Sequence, residues 1–415
     1  MFPNPQEALP LPPHPSLERY KKRAKDLVKA CRSGDREAIR AWAIAWLDKR
    51  GAQVADYAIA RLTADAGSCA LTNAQFVIAR AHGFESWPKF AAHIEALERA
   101  GSSVFAFESA VDAVVAGDAD ALGRLLGAHP GLVRERSTRE HHATLLVYTS
   151  ANGVEGYRQK SPRNAAAIAK MLIEAGADVE ATAAVYASEC TTLGLVATST
   201  PPQIAGVQIP VIDELLAHGG RMDRPGLAGH DSSLVRACFA NGQPEAAAYL
   251  ASRGAPLDLS GAAGLGRVDA LAPFFDDRAR ATSRQLADAF ALACAYGRRE
   301  AVEFLLDHGL AVDAELTFHG AGHTGLHVAA YHGHAGVVTL LLGRGASVHV
   351  KDKTWKTPPL SWVLTGWARK AAHAEACYEI VARLVRAGAF VAPEILEWDN
   401  VKRDPRMRDA LQGKE

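Results

Sequence analysis

The feature that most constrains the fold of this chain is internal repetition. One set of helix-ending glycines, spaced by 43, 35, 55, 36 and 43 residues, comprises Gly176, Gly219, Gly254, Gly309, Gly345 and Gly388. A second set follows small residues and precedes an apolar helix; its members are Gly34, Gly117, Gly153, Gly242, Gly266, Gly297 and Gly333. Glycine ends a helix by adopting positive φ. The two sets predict paired helices, which must stack on neighbouring pairs to bury their apolar faces.

The clearest unit is "HTGLHVAAYHGHAGVVTLLLGRGASVHVKD", His323 to Asp352. Thr324 can cap a first helix that Gly333 ends, and small residues at 329 and 330 let a neighbouring helix approach. A second helix carries an apolar stripe formed by Val337, Val338, Leu341 and Leu342. This unit resembles the ankyrin repeat, with Gly325 in place of the family's proline. The resemblance implies an all-α ankyrin-repeat solenoid of about nine or ten irregular repeats, with hairpin-like fingers and helical caps at both ends.

The amino-terminal hundred residues have a resemblance of their own. "SLERYKKRAKDLVKACRSGD" (Ser16 to Asp35) and "LTNAQFVIARAHGFESWPKFAAHIEALE" (Leu71 to Glu98) are similar to the leader of many bacterial ankyrin-repeat proteins. In the second stretch Ser86 is a predicted helix cap, and Pro88 opens the helix that follows. The expected organisation is a proline-rich extended tail at 1–15, a helical cap at 16–101, the repeat array at 102–392 and a capping segment at 393–415.

Composition limits the partners and the compartment. Lys+Arg and Asp+Glu are equal at 46 each, which argues against nucleic-acid binding, and the basic cluster Tyr20 to Lys25 is interpreted as a solvated helix face. There is no long apolar run, so we expect a soluble protein without membrane contact. The six cysteines lack CxxC pairs and indicate reduced thiols in a cytoplasm. The tail either lies along the first helices or stays disordered.

Five histidines crowd the stretch "FHGAGHTGLHVAAYHGH". The spacing of His319, His323 and His327 would suit a metal on one helix, but glycines break that helix, so no metal site and no cofactor is predicted. His327 and His334 occupy repeat positions where the imidazole bonds local backbone. His319, His323 and His332 remain candidates for partner contact, because the finger and the end of the first helix face the concave groove of an ankyrin array.

Two adjacent units contain insertions, near 154–163 and 200–210, where a short turn would connect the helices. Long loops in compact domains are functional more often than average. Together they supply a dense set of polar side chains: His141, His142, Tyr148, Asn152, Glu155, Tyr157, Arg158, Gln159, Thr198, Ser199 and Gln208. In the structural interpretation, Tyr157 and Arg158 pack over helix ends and Glu155 caps one of them. In the functional one, they contact a ligand or partner.

A third insertion, near 366–377, accompanies Trp355, Trp362 and Trp367. Exposed tryptophans are typical of interfaces, whereas an irregular unit also needs large residues to fill gaps in its core. Both interpretations stay open, and Trp355 and Trp362 are kept as candidate contact residues.

The predicted function is a non-catalytic scaffold, a monomer that holds another protein in the concave groove. The alternative is a small-molecule-binding or catalytic pocket built by the first two insertions. There His141 or His142 would act as base, Glu155 as acid and Arg158 as anion clamp. No phosphate-binding loop and no G-x-S-x-G elbow is present in the sequence, which argues against nucleotide binding and serine-hydrolase chemistry.

Overall fold

The protein is described by a computed structural model that covers residues 5–47, 51–62, 69–223, 233–275, 281–316, 322–369 and 374–414. The chain forms two compact units, Met1–Leu234 and Val235–Glu415. Helices dominate each unit. Among these residues, no helix combines the length and the apolarity that a membrane span requires.

The first unit begins with five helices, α1 to α5, which span Leu17–Arg32, Arg36–Leu47, Gly51–Leu62, Leu71–Ala81 and Trp87–Leu97. Their apolar faces enclose a core that includes Leu27, Ile78 and Phe90. The predicted start of α5 is confirmed, because Ser86 Oγ accepts a hydrogen bond from Lys89 N and a proline lies in the first turn.

The proline-rich tail packs onto this helical core. Leu9 is buried, and its amide donates a 2.8 Å hydrogen bond to Ala81 O. Its carbonyl oxygen accepts from His82 Nδ1 at 3.1 Å. Residues Pro5–Glu7 form a short 3₁₀ helix, so the tail is not extended throughout. Of the two alternatives that its prolines left open, the described part of the tail lies along the first helices.

One pair of cysteines corrects the sequence-based expectation. Cys31 on α1 and Cys69, just before α4, form a disulfide, so the prediction that all six cysteines are reduced is wrong for this pair. The other four, Cys190, Cys238, Cys294 and Cys377, are free and buried. Burial raises the pKa of all four thiols, to about 11 for Cys190 and Cys377, so these cysteines act as small apolar residues.

The rest of the first unit contains helices α6 to α12, at Ser103–Ala116, Ala119–Ala128, Leu145–Tyr148, Ala165–Glu174, Thr192–Ala197, Thr200–Ile204 and Gln208–Ala217. Between α9 and α10, strands β1 (Thr182–Val185) and β2 (Ser188–Thr191) pair antiparallel. The two linking residues, Tyr186 and Ala187, have φ of 54° and 58°, as a tight two-residue hairpin turn requires. The fold is therefore mostly helical rather than all-α, since this finger is a true β-hairpin.

The second unit begins within α13 and continues to the carboxyl end. Helices α13 to α25 span Leu234–Ala240, Pro244–Ser252, Leu259–Leu265, Val268–Leu271, Ser283–Ala295, Arg299–Asp307, Gly325–Tyr331, Ala335–Gly343, Pro359–Arg369, Ala374–Arg386, Pro393–Leu396, Asp399–Arg403 and Pro405–Ala410. Met407 and Val401 from the last helices are buried in the same core as Ile380 of α22. That residues 393–415 cap the repeats stays a prediction.

Both sets of glycines identified in the sequence end helices as predicted. Gly297, after the first helix α17, has φ of 68°, and Gly309, after the second helix α18, has φ of 92°. All the other members of the two sets also have positive φ. A positive φ is nearly free of strain only for glycine, so these positions mark where each helix must stop.

Close approach between successive first helices explains why Gly325 replaces the family's proline. A Cβ atom at this position would lie 2.5 Å from Phe290 Cε1 and 3.0 Å from Cys294 Sγ, both on the preceding first helix, α17. One step further along, a Cβ at Gly366 of α21 would collide with the Tyr331 carbonyl oxygen. Small residues on these helices therefore allow each pair to stack on the next.

Candidate functional site

The first insertion folds inward instead of forming an open loop. Its residues Gly156–Arg158 make one turn of 3₁₀ helix that packs beneath the tail, where a Cβ at Gly156 would collide with the Gln6 carbonyl oxygen. This contact leaves the flanking side chains pointing into the first unit. Glu155 has no exposed surface, and only 6% of Arg158 is exposed.

These two residues belong to a buried set of charges, here called the Glu155 cluster: Glu108, Arg139, His141, Glu155 and Arg158. Arg139 Nε lies 2.7 Å from Glu155 Oε1, and Arg139 Nη1 lies 2.5 Å from Glu108 Oε1. Arg158 Nη1 lies 2.7 Å from Glu108 Oε2 and 3.5 Å from Glu155 Oε1. Two carboxylates thus face two guanidinium groups, so their formal charges balance without contact with bulk water.

His141 completes the cluster. Its Nδ1 accepts a 3.0 Å hydrogen bond from Ala143 N, which leaves Nε2 as the ring nitrogen beside Glu155. That nitrogen lies 3.7 Å from Glu155 Oε2. The carboxylate of Glu155 is therefore approached by positive or hydrogen-bearing groups from three residues.

Opposite charges outweigh burial at both carboxylates. Burial alone would raise the pKa of Glu155, but Arg139, His141 and Arg158 hold it well below its usual range. Burial also acts to raise the pKa of Glu108, but the charges of Arg139 and Arg158 lower it to about 2. Both groups are therefore ionised at neutral pH.

Tyr148 lies against this cluster and is fully buried. Burial, followed by the charge of Glu155, raises the pKa of its phenol well above the usual value. Its hydroxyl has no hydrogen-bond partner within the part of the chain that the structure describes. Tyr148 is thus a neutral phenol in the core and not a surface contact.

In the catalytic alternative, Glu155 would be the acid and Arg158 the anion clamp. A general acid needs a proton and access to substrate, whereas Glu155 is ionised and enclosed. Arg158 already pairs with Glu108 and, through Nη2 at 2.8 Å, with Asp112, so its guanidinium is no open anion clamp. In the structural alternative Glu155 would cap a helix end; its side chain accepts no capping hydrogen bond from the turn Gly156–Arg158 that follows it.

The two histidines proposed as bases lie in different environments. His141 is buried in the cluster, with Nδ1 occupied by the backbone. His142 is half-buried, and its Nε2 lies 3.4 Å from Glu85 Oε1. Of the two, His141 is the one that lies beside Glu155, with its Nε2 3.7 Å from Glu155 Oε2.

The remaining polar residues of the insertions bond the ends of neighbouring first helices. Asn152 Nδ2 donates to Leu195 O at 3.1 Å and lies 3.4 Å from Thr198 Oγ1. Ser199 Oγ donates to Ala151 O at 3.3 Å, and this serine is buried. These contacts join the two neighbouring helix pairs that carry the insertions, both within the first unit. Asn152, Thr198 and Ser199 therefore have structural partners.

Three other predicted residues complete this region. Gln208 Nε2 donates to the backbone carbonyl oxygens of Val196 and Ser199, and Gln159 Nε2 donates to Val154 O. The Arg158 guanidinium carbon lies 5.6 Å from the Tyr157 ring centroid, a cation–π contact. The second insertion itself forms α11, at Thr200–Ile204.

Sequence reasoning missed the two residues that define the cluster, Glu108 and Arg139. Glu108 lies within α6, where an acidic residue is usually solvated, and Arg139 lies in the polar stretch "RERSTREHH". The available signal was a glutamate on a mostly apolar helix, "SVFAFESAVDAVVA", whose other acidic residue is the exposed Asp112. Such a glutamate predicts a buried ion pair only when its partner is known.

A different surface is exposed in the second unit, on the finger formed by residues 347–358. The Asp352 carboxylate, itself 1% exposed, accepts hydrogen bonds from Trp355 N at 2.5 Å and from Thr357 N at 3.0 Å. It also accepts from Trp362 Nε1 at 3.2 Å. Burial acts to raise the pKa of Asp352, but these hydrogen bonds hold it well below the usual range. The ionised carboxylate therefore fixes the finger.

Trp355 projects from this finger, and 65% of its surface is exposed. Its ring lies 5.6 Å from that of Trp362, at an interplanar angle of 69°. Trp362 also contacts Tyr331, with ring centroids 6.0 Å apart. Trp367, by contrast, packs against the core. The gap-filling interpretation thus holds for Trp367, while Trp355 and its neighbours form an aromatic surface.

The predicted histidine contacts divide in the same way. His323 is buried and lies 5.2 Å from the Trp362 ring, so it supports that ring. His332 is half-buried beside Tyr331, at the edge of the aromatic surface. His327 Nε2 is 3.2 Å from Thr357 O, and His334 Nε2 is 2.8 Å from Ala295 O, as expected for backbone-bonding histidines. His319 lies outside the described residues.

Comparison with known proteins identifies part of the chain. Residues 259–352 match the family model "Ankyrin repeats (3 copies)", so this segment of the second unit consists of ankyrin repeats. No curated protein matches the chain. Among solved structures, the human ASB11 ankyrin repeat domain is 19% identical, with a TM-score of 0.36 over 68% of this chain and 99% of that chain. The predicted total of nine or ten repeats stays a prediction.

Proposed function

We propose that the protein is a non-catalytic scaffold that binds another protein through the finger 347–358 and the adjoining ends of α19 and α21. The observation that carries this proposal is Trp355, a large aromatic side chain that is mostly exposed on a finger held rigid by Asp352. Tryptophan is among the residues that contribute most to protein interfaces, since it buries much apolar area at little entropic cost.

The surroundings of Trp355 suit a protein partner with acidic character. Lys351 and Lys356 flank it on the finger and are exposed, and neither is ion-paired within the described ranges. Ankyrin repeats are generally protein-interaction modules, which agrees with the same proposal. A partner surface that places an apolar group on Trp355 and carboxylates near these lysines would be complementary.

The test is a pull-down from native cell lysate that compares the wild-type chain with Trp355→Ala. Phe390→Ala is the matched control, because Phe390 is 74% exposed in the same unit but lies outside the finger. We expect the retained proteins to be lost with Trp355→Ala and kept with Phe390→Ala. For a partner identified in this way, the substitution should weaken binding by roughly 30-fold or more, as for an interface hot spot. Equal retention by both variants would refute the proposal.

We also propose a bacterial origin and a cytoplasmic location, supported by the leader resemblance and by the four buried free thiols. The Cys31–Cys69 disulfide argues for a more oxidising compartment, because cytoplasmic thiols are usually kept reduced. Thiol alkylation in denaturant, after cells have been quenched with acid, separates the two compartments, because denaturation makes the buried Cys31 accessible to the reagent. Modification of both Cys31 and Cys69 would support the cytoplasm, and protection of both would contradict it.

A further inference from the structure

A cleft of about 650 Å³ lies in the first unit, between the proline-rich tail, α1 and the end of α2. Its walls include Pro10 from the tail, Arg19 and Arg23 from α1, Trp46 from α2 and His82. Small-molecule sites have volumes of roughly 300–1,000 Å³ and combine apolar walls with a few polar groups. The size and lining of this cleft therefore suit a small ligand.

The two arginines of the cleft are one helical turn apart on α1. Neither is ion-paired within the part of the chain that the structure describes. Arg23 is half-buried, and burial lowers the pKa of its guanidinium, although Tyr20 and Asp26 oppose that shift. Two guanidinium groups that line one cleft without a carboxylate are suited to bind an anion. Each can donate a pair of N–H hydrogen bonds to it.

Aromatic contacts hold one of these arginines in place. The Arg23 guanidinium carbon lies 5.4 Å from the Trp46 ring centroid, a cation–π contact. Trp42 Nε1 donates a 3.2 Å hydrogen bond to Arg23 O, which links α2 to the same turn of α1. The positive charge is therefore oriented beside an aromatic wall before any ligand binds.

His82 adds a polar group at the base of the cleft. It is 2% exposed, and its ring stacks on Phe90 with centroids 5.3 Å apart. Because Nδ1 donates to Leu9 O, Nε2 is left as an acceptor, and it has no hydrogen-bond partner among the described residues. Burial is the main cause that lowers the pKa of His82 to about 4, so the ring is neutral at pH 7.

We infer that this cleft binds a small molecule in which a phosphate or carboxylate group is attached to a planar apolar group. Arg19 and Arg23 hold the anion, and Trp46 and Pro10 contact the planar part. The interpretation of Tyr20 to Lys25 as a solvated helix face holds for Lys22 and Lys25, which are exposed, but not for Tyr20, which is buried, or for Arg23, which lines the cleft. The inference does not depend on protein binding at Trp355.

Isothermal titration calorimetry on the full chain tests the inference with phenyl phosphate, benzoate and inorganic phosphate as probes. We expect phenyl phosphate or benzoate to bind with Kd of about 1 mM or tighter, and inorganic phosphate about tenfold more weakly, because it has no ring to place on Trp46. Whichever aromatic probe binds more tightly identifies the anion as phosphate or carboxylate.

The double variant Arg19→Gln/Arg23→Gln should weaken binding of the tighter probe by at least about tenfold, since charged hydrogen bonds to the anion are lost. Arg32→Gln is the matched control: it changes the charge of an exposed arginine on the same helix, outside the cleft, and should leave binding unchanged. The melting temperature of each variant checks folding, and the single variant Arg19→Gln replaces the double one if that unfolds. No binding of either aromatic probe at 10-fold above the expected Kd, or equal binding by the double variant, would overturn the inference.

Discussion

Replacing Glu155 by Gln keeps the shape of the side chain and removes one of the two buried negative charges of the Glu155 cluster. Arg139 and Arg158 would then share Glu108 as their one buried carboxylate, and Arg139 Nε would lose the contact now made at 2.7 Å. Removing one partner of a buried ion pair costs about 3–5 kcal/mol, because the other charge stays buried without compensation. We expect the free energy of unfolding of the first unit to fall by that amount.

Hydrogen exchange of peptides from residues 103–174, measured with increasing urea, reports the stability of this unit without interference from the second one. Asp112→Asn is the matched control: Asp112 pairs with Arg158 at 2.8 Å, but its side chain is 71% exposed, so the loss should be at most about 1 kcal/mol. If Glu155→Gln costs no more than this control, the cluster does not stabilise the inserted segment, and the reasoning above is refuted.

Three further predictions concern separate features. Cys31→Ser opens a disulfide that spans 38 residues, so the free energy of unfolding measured in urea should fall by up to about 4 kcal/mol. A reducing agent should lower the unfolding free energy of the wild type to the value of the variant and leave the variant unchanged. Burial lowers the pKa of both His82 and His93 to about 4. Because the unfolded chain binds a proton at each histidine below pH 6.5 and the folded chain does not, each contributes stability that is complete above pH 6.5 and falls by about 3 kcal/mol as the pH drops to 4. His93→Gln should therefore make the free energy of unfolding less dependent on pH between 6.5 and 4. Gly325→Ala should lower the melting temperature through a clash costing about 1–3 kcal/mol, whereas Gly343→Ala, in open space on α20, should not.

The helix ends could be predicted from sequence because the cause is local. Positive φ at Gly297 or Gly309 depends on the backbone of a single residue, and glycine is the residue that adopts it without strain. The same locality explains the Ser86 cap, whose donor is three residues away. Such features repeat with the unit, so one clear copy at 323–352 identified the degenerate ones.

The Glu155 cluster could not be predicted, since its members come from stretches that only the fold brings together. Glu108 and Arg139 are 31 residues apart, and neither lies in an insertion. The polar residues of the insertion were correctly identified as unusual, but polarity alone does not distinguish a solvated loop from a buried ion pair. The disulfide was missed for a related reason, because helices α2 and α3 separate its two cysteines.

The cluster offers a physical reason why this irregular segment keeps a single conformation. Regular repeats align through apolar stripes, which tolerate small shifts, whereas the turn Gly156–Arg158 has no such stripe. A buried charge cannot shift without leaving its partner uncompensated, so the pairs of Arg139 with Glu108 and Glu155 penalise every alternative alignment by several kcal/mol. Well-packed apolar residues could supply equal stability at these positions, but they would not restrict the segment to one register. We therefore expect a double replacement of Glu155 and Arg139 by Met to recover much of the lost stability while the turn under Gln6 loses its protection from hydrogen exchange.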